Sequence, residues 1–296
     1  MYQLSSKQYQ LIFRIVQIAA VSVFLGRAYQ HLFWDAPFRA LFWEDGWMQW
    51  VVEGTTDMTW KEYATSPDVN RHIQNLIIAH GYFYLICALA SIFIKQLPKW
   101  AGKILLVGST ALIFLATLYM KEKFYHLGQF FEYSLQFLSP IFLYFLVHRD
   151  SLKPRVWLLM KVAISLTFTC HGLYALGYYP RPGVFTTMTM NILGVTEDTA
   201  VYFLQVAGVM DFVVGIGIFL PWRFAKFCLG YAIFWGFATA IARIWGFFHL
   251  QFWESILHQN AFEWVMRFPH FLIPLAVWLY YDYQKKGKLK MAGKID

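Results

Sequence analysis

The chain has 296 residues, of which 58% are hydrophobic, 20% aromatic and only 14% charged, with a mean hydropathy of +0.44. That composition is too apolar and too poor in charge for a soluble domain and reads as an integral membrane protein. The net charge of +8 is divided among short basic groups between apolar runs, which excludes the concentrated basic face that nucleic-acid binding needs.

Apolar runs of about spanning length fall near residues 9–31, 74–94, 102–120, 128–147, 156–178, 201–220, 224–246 and 264–283. They predict an all-α polytopic protein with eight transmembrane helices. The first run leads into Gly26-Arg27-Ala28-Tyr29 rather than a small-residue cleavage site, so it is expected to stay as a first span. Between spans one and two, the stretch from Asp35 to Arg71 is too polar and too broken to cross. Its first part mixes Trp43, Trp47 and Trp50 with charge, which predicts a helix lying in the interface. Its second part opens with Thr59 and Glu62 at capping-box spacing.

Basic residues set the orientation. Lys7 and Arg14 lie at the start of span one. Lys95, Lys99 and Lys103 join spans two and three, Arg149, Lys153 and Arg155 join four and five, and Arg223 and Lys226 join six and seven. Lys285, Lys286, Lys288, Lys290 and Lys294 end the chain. The intervening loops carry acids instead, notably Asp35, Glu44, Asp45, Glu53, Asp57, Glu62 and Asp68. Both termini are therefore expected in the cytoplasm, and the expected location is the bacterial cytoplasmic membrane.

The chain also reads as duplicated. His126-Leu-Gly-Gln-Phe-Phe-Glu132-Tyr133 is echoed by His258 to Trp264, with Gln129, Phe131, Glu132 and Tyr133 standing where Asn260, Phe262, Glu263 and Trp264 stand later. Leu25-Gly26-Arg27-Ala28-Tyr29 similarly matches Cys170-His171-Gly172-Leu173-Tyr174. These echoes predict two four-helix repeats. Residues 1–150 would carry an outer interfacial loop over 35–73, and residues 151–296 the basic tail. With four spans each, both repeats insert in the same direction, as parallel repeats about an axis along the membrane normal.

The stretches Cys170-His171-Gly172-Leu173-Tyr174-Ala175-Leu176-Gly177 and Asp211-Phe212-Val213-Val214-Gly215-Ile216-Gly217-Ile218-Phe219-Leu220 carry a resemblance to the DoxX-like family of four-helix membrane proteins. They look like that family's HG-containing first-helix end and its acidic, Gly-rich second helix, here with Asp211 in place of the expected Glu. Tyr84 stands near the equivalent place in the first repeat. The resemblance implies a subunit of a membrane oxidoreductase acting near the quinone pool. A fainter likeness connects the chain to the membrane domain of vitamin K-dependent carboxylases. No soluble catalytic domain follows, so carboxylation is not expected.

Ionisable groups in hydrocarbon are costly, and each is a functional candidate unless it sits at the interface. Arg27, His31, His80, Glu132, His171, Arg243, Glu263, Arg267 and His270 all fall toward the outer ends of their spans, and Asp211 lies deeper. This one-sidedness predicts an outward-facing polar cavity lined mainly by spans five to eight. Glu263, Arg267 and His270 follow i, i+4, i+7 spacing, which would set them on one helical face. Asp211 needs a partner, with Arg243 or His171 the nearest in depth. The candidate binding residues are therefore His171, Asp211, Arg243, Glu263, Arg267, His270, His80 and Glu132. Together they suit an anionic or quinone-like headgroup, with the arginines as donors and His171 or His270 carrying protons. The alternative is a set of interhelical pairs that only fix packing.

His80 and His171 lie at comparable depth, but neither repeat duplicates the histidine, so haem is not expected and no metal site is predicted. Cys87, Cys170 and Cys228 lie inside apolar runs without a CxxC, as small buried hydrophobes do. The sequence thus predicts a membrane redox component that binds a quinone-like molecule or docks an extracytoplasmic or membrane partner. It leaves open a carrier of a lipid or small amphiphile, and a non-catalytic scaffold.

Overall fold

The structure, a computed structural model, describes residues 4–148 and 154–291. Arg149, Lys153 and Lys294, part of the basic pattern, lie outside the described residues, as does the expected boundary between repeats. The described chain is helical, with no strand. Ser5 opens α1 (Ser6–Phe33) with a reciprocal capping box to Gln8, which satisfies two donors the first turn would otherwise leave free. Three short helices follow: α2 (Arg39–Phe42), α3 (Asp45–Thr55) and α4 (Trp60–Thr65). The last has the predicted box between Thr59 and Glu62. Met48 and Val52 face inward from α3, whereas Trp43, Trp47 and Trp50 are exposed.

Next comes α5 (Pro67–Ile92), with Pro67 in its first turn where a missing N–H costs nothing. After it run α6 (Lys99–Gly102), α7 (Ile104–Glu122), α8 (Leu127–Glu132) and α9 (Ser134–His148). The second half contains α10 (Pro154–Leu176), α11 (Gly183–Leu193), α12 (Glu197–Gly217), α13 (Trp222–Trp245), α14 (Trp253–Val265) and α15 (Pro269–Met291). Among the described residues, seven stretches are long and apolar enough to cross a membrane. They are Ser6–Phe33, Pro67–Ile92, Lys99–Glu122, Leu127–Val147, Pro154–Leu176, Glu197–Gly217 and Trp222–Trp245. The expected eighth, α15, is a helix of 23 residues whose later half turns basic, and it is not among the seven.

The fourth run keeps spanning length as Leu127–Val147, with a turn at Tyr133 between α8 and α9. The expected continuity of the last run is corrected: α14 ends at Val265 and the chain re-enters helix at Pro269. Pro269 disfavours helical geometry in Phe268 before it, so Glu263, Arg267 and His270 do not share one continuous helical face.

The helices pack α1 on α5 and α10 on α12, while α15 lies against α1, α10 and α13. Toward the end where α1 begins, the interior is filled by apolar side chains. Phe13, Trp157, Leu229 and Ile273 meet there, and the rings of Trp157 and Tyr280 stack 3.8 Å apart at 8°. Two glycine sites set helix separation. A Cβ on Gly172 would meet the carbonyl oxygen of Gly208 at 2.9 Å, so α10 and α12 touch backbone to backbone. Pro274 interrupts α15 and frees the carbonyl of His270. A Cβ on Gly236 would lie 2.5 Å from that oxygen, so only glycine lets α13 approach it. The three cysteines are free and buried.

Candidate functional site

At the opposite end of the bundle, where α1, α7, α10 and α13 finish, polar side chains converge. Asp211 on α12 is fully buried, and its Oδ2 lies 3.0 Å from Nδ1 of His171 on α10. The close approach at Gly172 and Gly208 is what brings these two side chains within reach. A carboxylate oxygen accepts, so His171 donates through Nδ1 and keeps Nε2 as its second nitrogen. Oδ1 of Asp211 is buried without a hydrogen-bond partner.

Arg243 near the end of α13 places Nη1 3.1 Å from Oε2 of Glu263. The same oxygen lies 3.4 Å from Nη1 of Arg267, which also donates to the Glu263 carbonyl at 3.1 Å. One carboxylate therefore holds two guanidinium groups, and Arg267 reaches it from the turn between α14 and α15. His270, in the first turn of α15, donates through Nδ1 to the Arg267 carbonyl at 2.9 Å. His171 and His270 thus both have Nδ1 occupied. Neither Nε2 is sealed off, in contrast to Nε2 of His31, which is buried without a partner.

These groups border a cavity of about 340 Å³. Glu132, His171, Arg243, Arg267 and His270 form its polar end, with Thr189 and Thr239 on its wall. Phe185, Met188 and Ile192 from α11, Phe203 and Leu204 from α12, and Phe234, Trp235, Ala238 and Ala242 from α13 supply the apolar wall. Ile192, Leu193, Phe203 and Phe234 are also exposed on the outside of the bundle. The cavity consequently opens sideways between α11, α12 and α13, at a surface made of apolar side chains. A volume of a few hundred Å³, mostly apolar with a few convergent polar groups, is ordinary for a small-molecule site.

Of the eight residues expected at the site, Glu132, His171, Arg243, Arg267 and His270 border the cavity, Asp211 stands behind His171, and Glu263 ties the two arginines together. His80 does not line it. Its Nδ1 bonds the Leu76 carbonyl at 2.9 Å and its ring lies 4.8 Å from that of Phe38. Phe38 is itself buried with Ile77, Leu115 and Leu118, which fill this part of the first half. Among the described residues there is no cluster of three or more His, Cys, Asp or Glu fit to hold a metal.

Arg27 and His31 form a separate buried group. Arg27 donates to Gln30 and Gln136, each at 2.8 Å, and its guanidinium carbon sits 5.0 Å from the ring centre of Tyr133. Amides and aromatic faces here hold a buried cation that forms no ion pair among the described residues.

The sequence reading missed α11. Its signal was present in Pro182 before the helix, the stripe Phe185, Met188, Thr189 and Ile192, and Gly194 at φ 65 closing it. Arg181 caps the preceding α10 through the Ala175 carbonyl, and Asn191 ties α11 to the Gly246 carbonyl at 2.7 Å. Neither a family model, nor a curated protein, nor a solved structure matches this chain.

Proposed function

We propose that this chain is an eight-span, DoxX-like integral membrane protein that takes an amphipathic small molecule from the bilayer into its outward-facing cavity. The observation that carries this reading is the cavity itself, charged at one end and open at the other through Ile192, Leu193, Phe203 and Phe234. A wholly polar solute gains nothing from that wall, and a wholly apolar one leaves Arg267 and His270 unanswered. A quinone-like head fits the polar end, where two guanidinium groups can donate to a carbonyl and two imidazoles can exchange protons. This is the reading in which the protein belongs to a membrane redox system.

Packing also supports two parallel repeats. Each half opens with a helix pair, α1 on α5 and α10 on α12, and each opening helix packs on the other half's last two helices. α1 meets α14 and α15, and α10 meets α8 and α9. In this reading α15 is the eighth span, since Ile273, Ala276 and Val277 are fully buried in the shared core. The two stretches resembling the DoxX-like family are the ones that meet where Gly172 faces Asp211 and Phe212, and at the His171–Asp211 bond.

The test is to fill the cavity. Ala238→Trp should lower the amount of amphiphile, whether isoprenoid quinone or lipid, that co-purifies and is extracted for mass spectrometry. Unchanged retention overturns the reading. The sideways opening also favours a second function, a carrier that passes such a molecule across the bilayer. Crosslinking the repeats would then stop transport and leave binding intact.

A further inference from the structure

The charges at the polar end are not equivalent. Glu263 already holds Arg243 and Arg267. Glu132, which borders the same cavity from α8, makes no ion pair at contact distance and no hydrogen bond among the described residues, although the Arg243 guanidinium lies within Coulomb reach. It is a carboxylate at an apolar-walled site with no donor bonded to it, and a cation carrying N–H donors is the remedy such a group favours. His171 and His270 border the same cavity. Both rings have Nδ1 committed to acceptors, so the neutral ring can only accept at Nε2. A carboxylate and two imidazole acceptors bordering one cavity suit a primary ammonium, which has three donors and no acceptor.

At the same polar end, Arg243 and Arg267 each spend Nη1 on Glu263. A guanidinium presents five N–H donors in a fork that suits phosphate. The remaining donors make the arginines an anion site, because Glu263 occupies only one nitrogen of each. Acceptors and donors thus border one cavity, with an apolar exit toward the chains.

We infer that the cavity binds the head of a phospholipid carrying a primary ammonium, its phosphate held by Arg243 and Arg267 and its ammonium by Glu132. The proposal rests on the amphiphile-binding reading and names the chemical class of the ligand. A phosphate without an ammonium leaves Glu132 unanswered. A quaternary ammonium offers the three acceptors no hydrogen to bond. A quinone satisfies the arginines and imidazoles but brings no cation to the carboxylate.

The experiment uses the full chain in detergent, challenged with dioleoyl phosphatidylethanolamine, phosphatidylcholine or phosphatidylglycerol, with retained lipid counted by native mass spectrometry. Phosphatidylethanolamine should be retained at least about tenfold over the other two, the change expected from one hydrogen bond to a charged group. Glu132→Gln should erase that preference, and Arg267→Gln should weaken retention of both phosphatidylethanolamine and phosphatidylglycerol. Equal retention of the three lipids by the unaltered chain overturns the inference without any variant. So does a preference that survives Glu132→Gln, or a quinone that displaces all three lipids. The two readings fail separately. If Ala238→Trp leaves retention of every amphiphile unchanged, the cavity does not bind them. If Ala238→Trp lowers retention of all lipids alike, the cavity binds amphiphiles but does not choose the head.

Discussion

Removing His171 is the sharpest test of whether the buried polar groups are interdependent. His171→Leu strips Oδ2 of Asp211 of its 3.0 Å hydrogen bond and leaves the Trp235 indole as the one neighbouring donor, while Oδ1 has no partner at hydrogen-bond distance. Two magnitudes bracket the cost. Interhelical hydrogen bonds between membrane helices average about 0.6 kcal/mol with a maximum near 1.7, because the separated helices find other partners. A lone aspartate near the centre of a span costs roughly 3 kcal/mol on insertion scales. Asp211 has no exposed surface, so water cannot rescue it, and the upper figure should govern. We expect His171→Leu to destabilise the protein by about 2–3 kcal/mol. The double variant His171→Leu with Asp211→Leu removes both partners and should lie within about 1 kcal/mol of the original chain, since replacing a whole buried pair by apolar groups is near neutral. The assay is reversible unfolding in mixed micelles, run as a double-mutant cycle. A single-variant cost below about 0.6 kcal/mol, or a double variant equal to the sum of the singles, would refute the reasoning.

Other outcomes follow from the same geometry. Gly172→Ala drives a Cβ against the Gly208 carbonyl at 2.9 Å and should cost about 1–3 kcal/mol by overpacking, seen as a lowered thermal midpoint. Gly230→Ala, with open space around it in α13, should gain up to about 1 kcal/mol from helix propensity. Equal effects at the two positions would sink the packing argument. At α4, the Thr59 backbone N–H and hydroxyl hold the Glu62 carboxyl below its usual range. That contribution is present above the unfolded carboxyl range and is lost as pH falls through the depressed folded value. Thr59→Ala should therefore speed hydrogen exchange across Trp60–Tyr63 at neutral pH and make little difference in strong acid. Finally, Tyr178→Cys, at a position 74% exposed beyond α10, should react with an impermeant maleimide from outside whole cells, and Lys286→Cys should not. The reverse pattern would invert the orientation.

Much of the site was legible because lipid penalises unpaired polarity. The depth of His171, Arg243 and Glu132 along their apolar runs was enough to expect them near one another, and their residue types indicated the chemistry they suit. The helical face drawn through Glu263, Arg267 and His270 was misleading, although Pro269 carried the warning in its effect on Phe268. His80 shows the limit of depth as a guide. It stands at a similar level to His171, yet Phe38 occupies the space beside it. Depth says how far along a helix a group lies, and not which neighbour faces it.

Composition and basic-residue pattern alone determined that this is a helical membrane protein and roughly where each helix runs, because hydrophobic length and loop charge are local properties of the chain. Packing decided what no local window contains. Glu132, from the first half, reaches the cavity of the second only because α8 lies on α10. Asp211 meets His171 only because two glycines let α10 and α12 touch. Those contacts join residues far apart in sequence, and their free energy depends on the distance between helices, a quantity set by the assembled bundle.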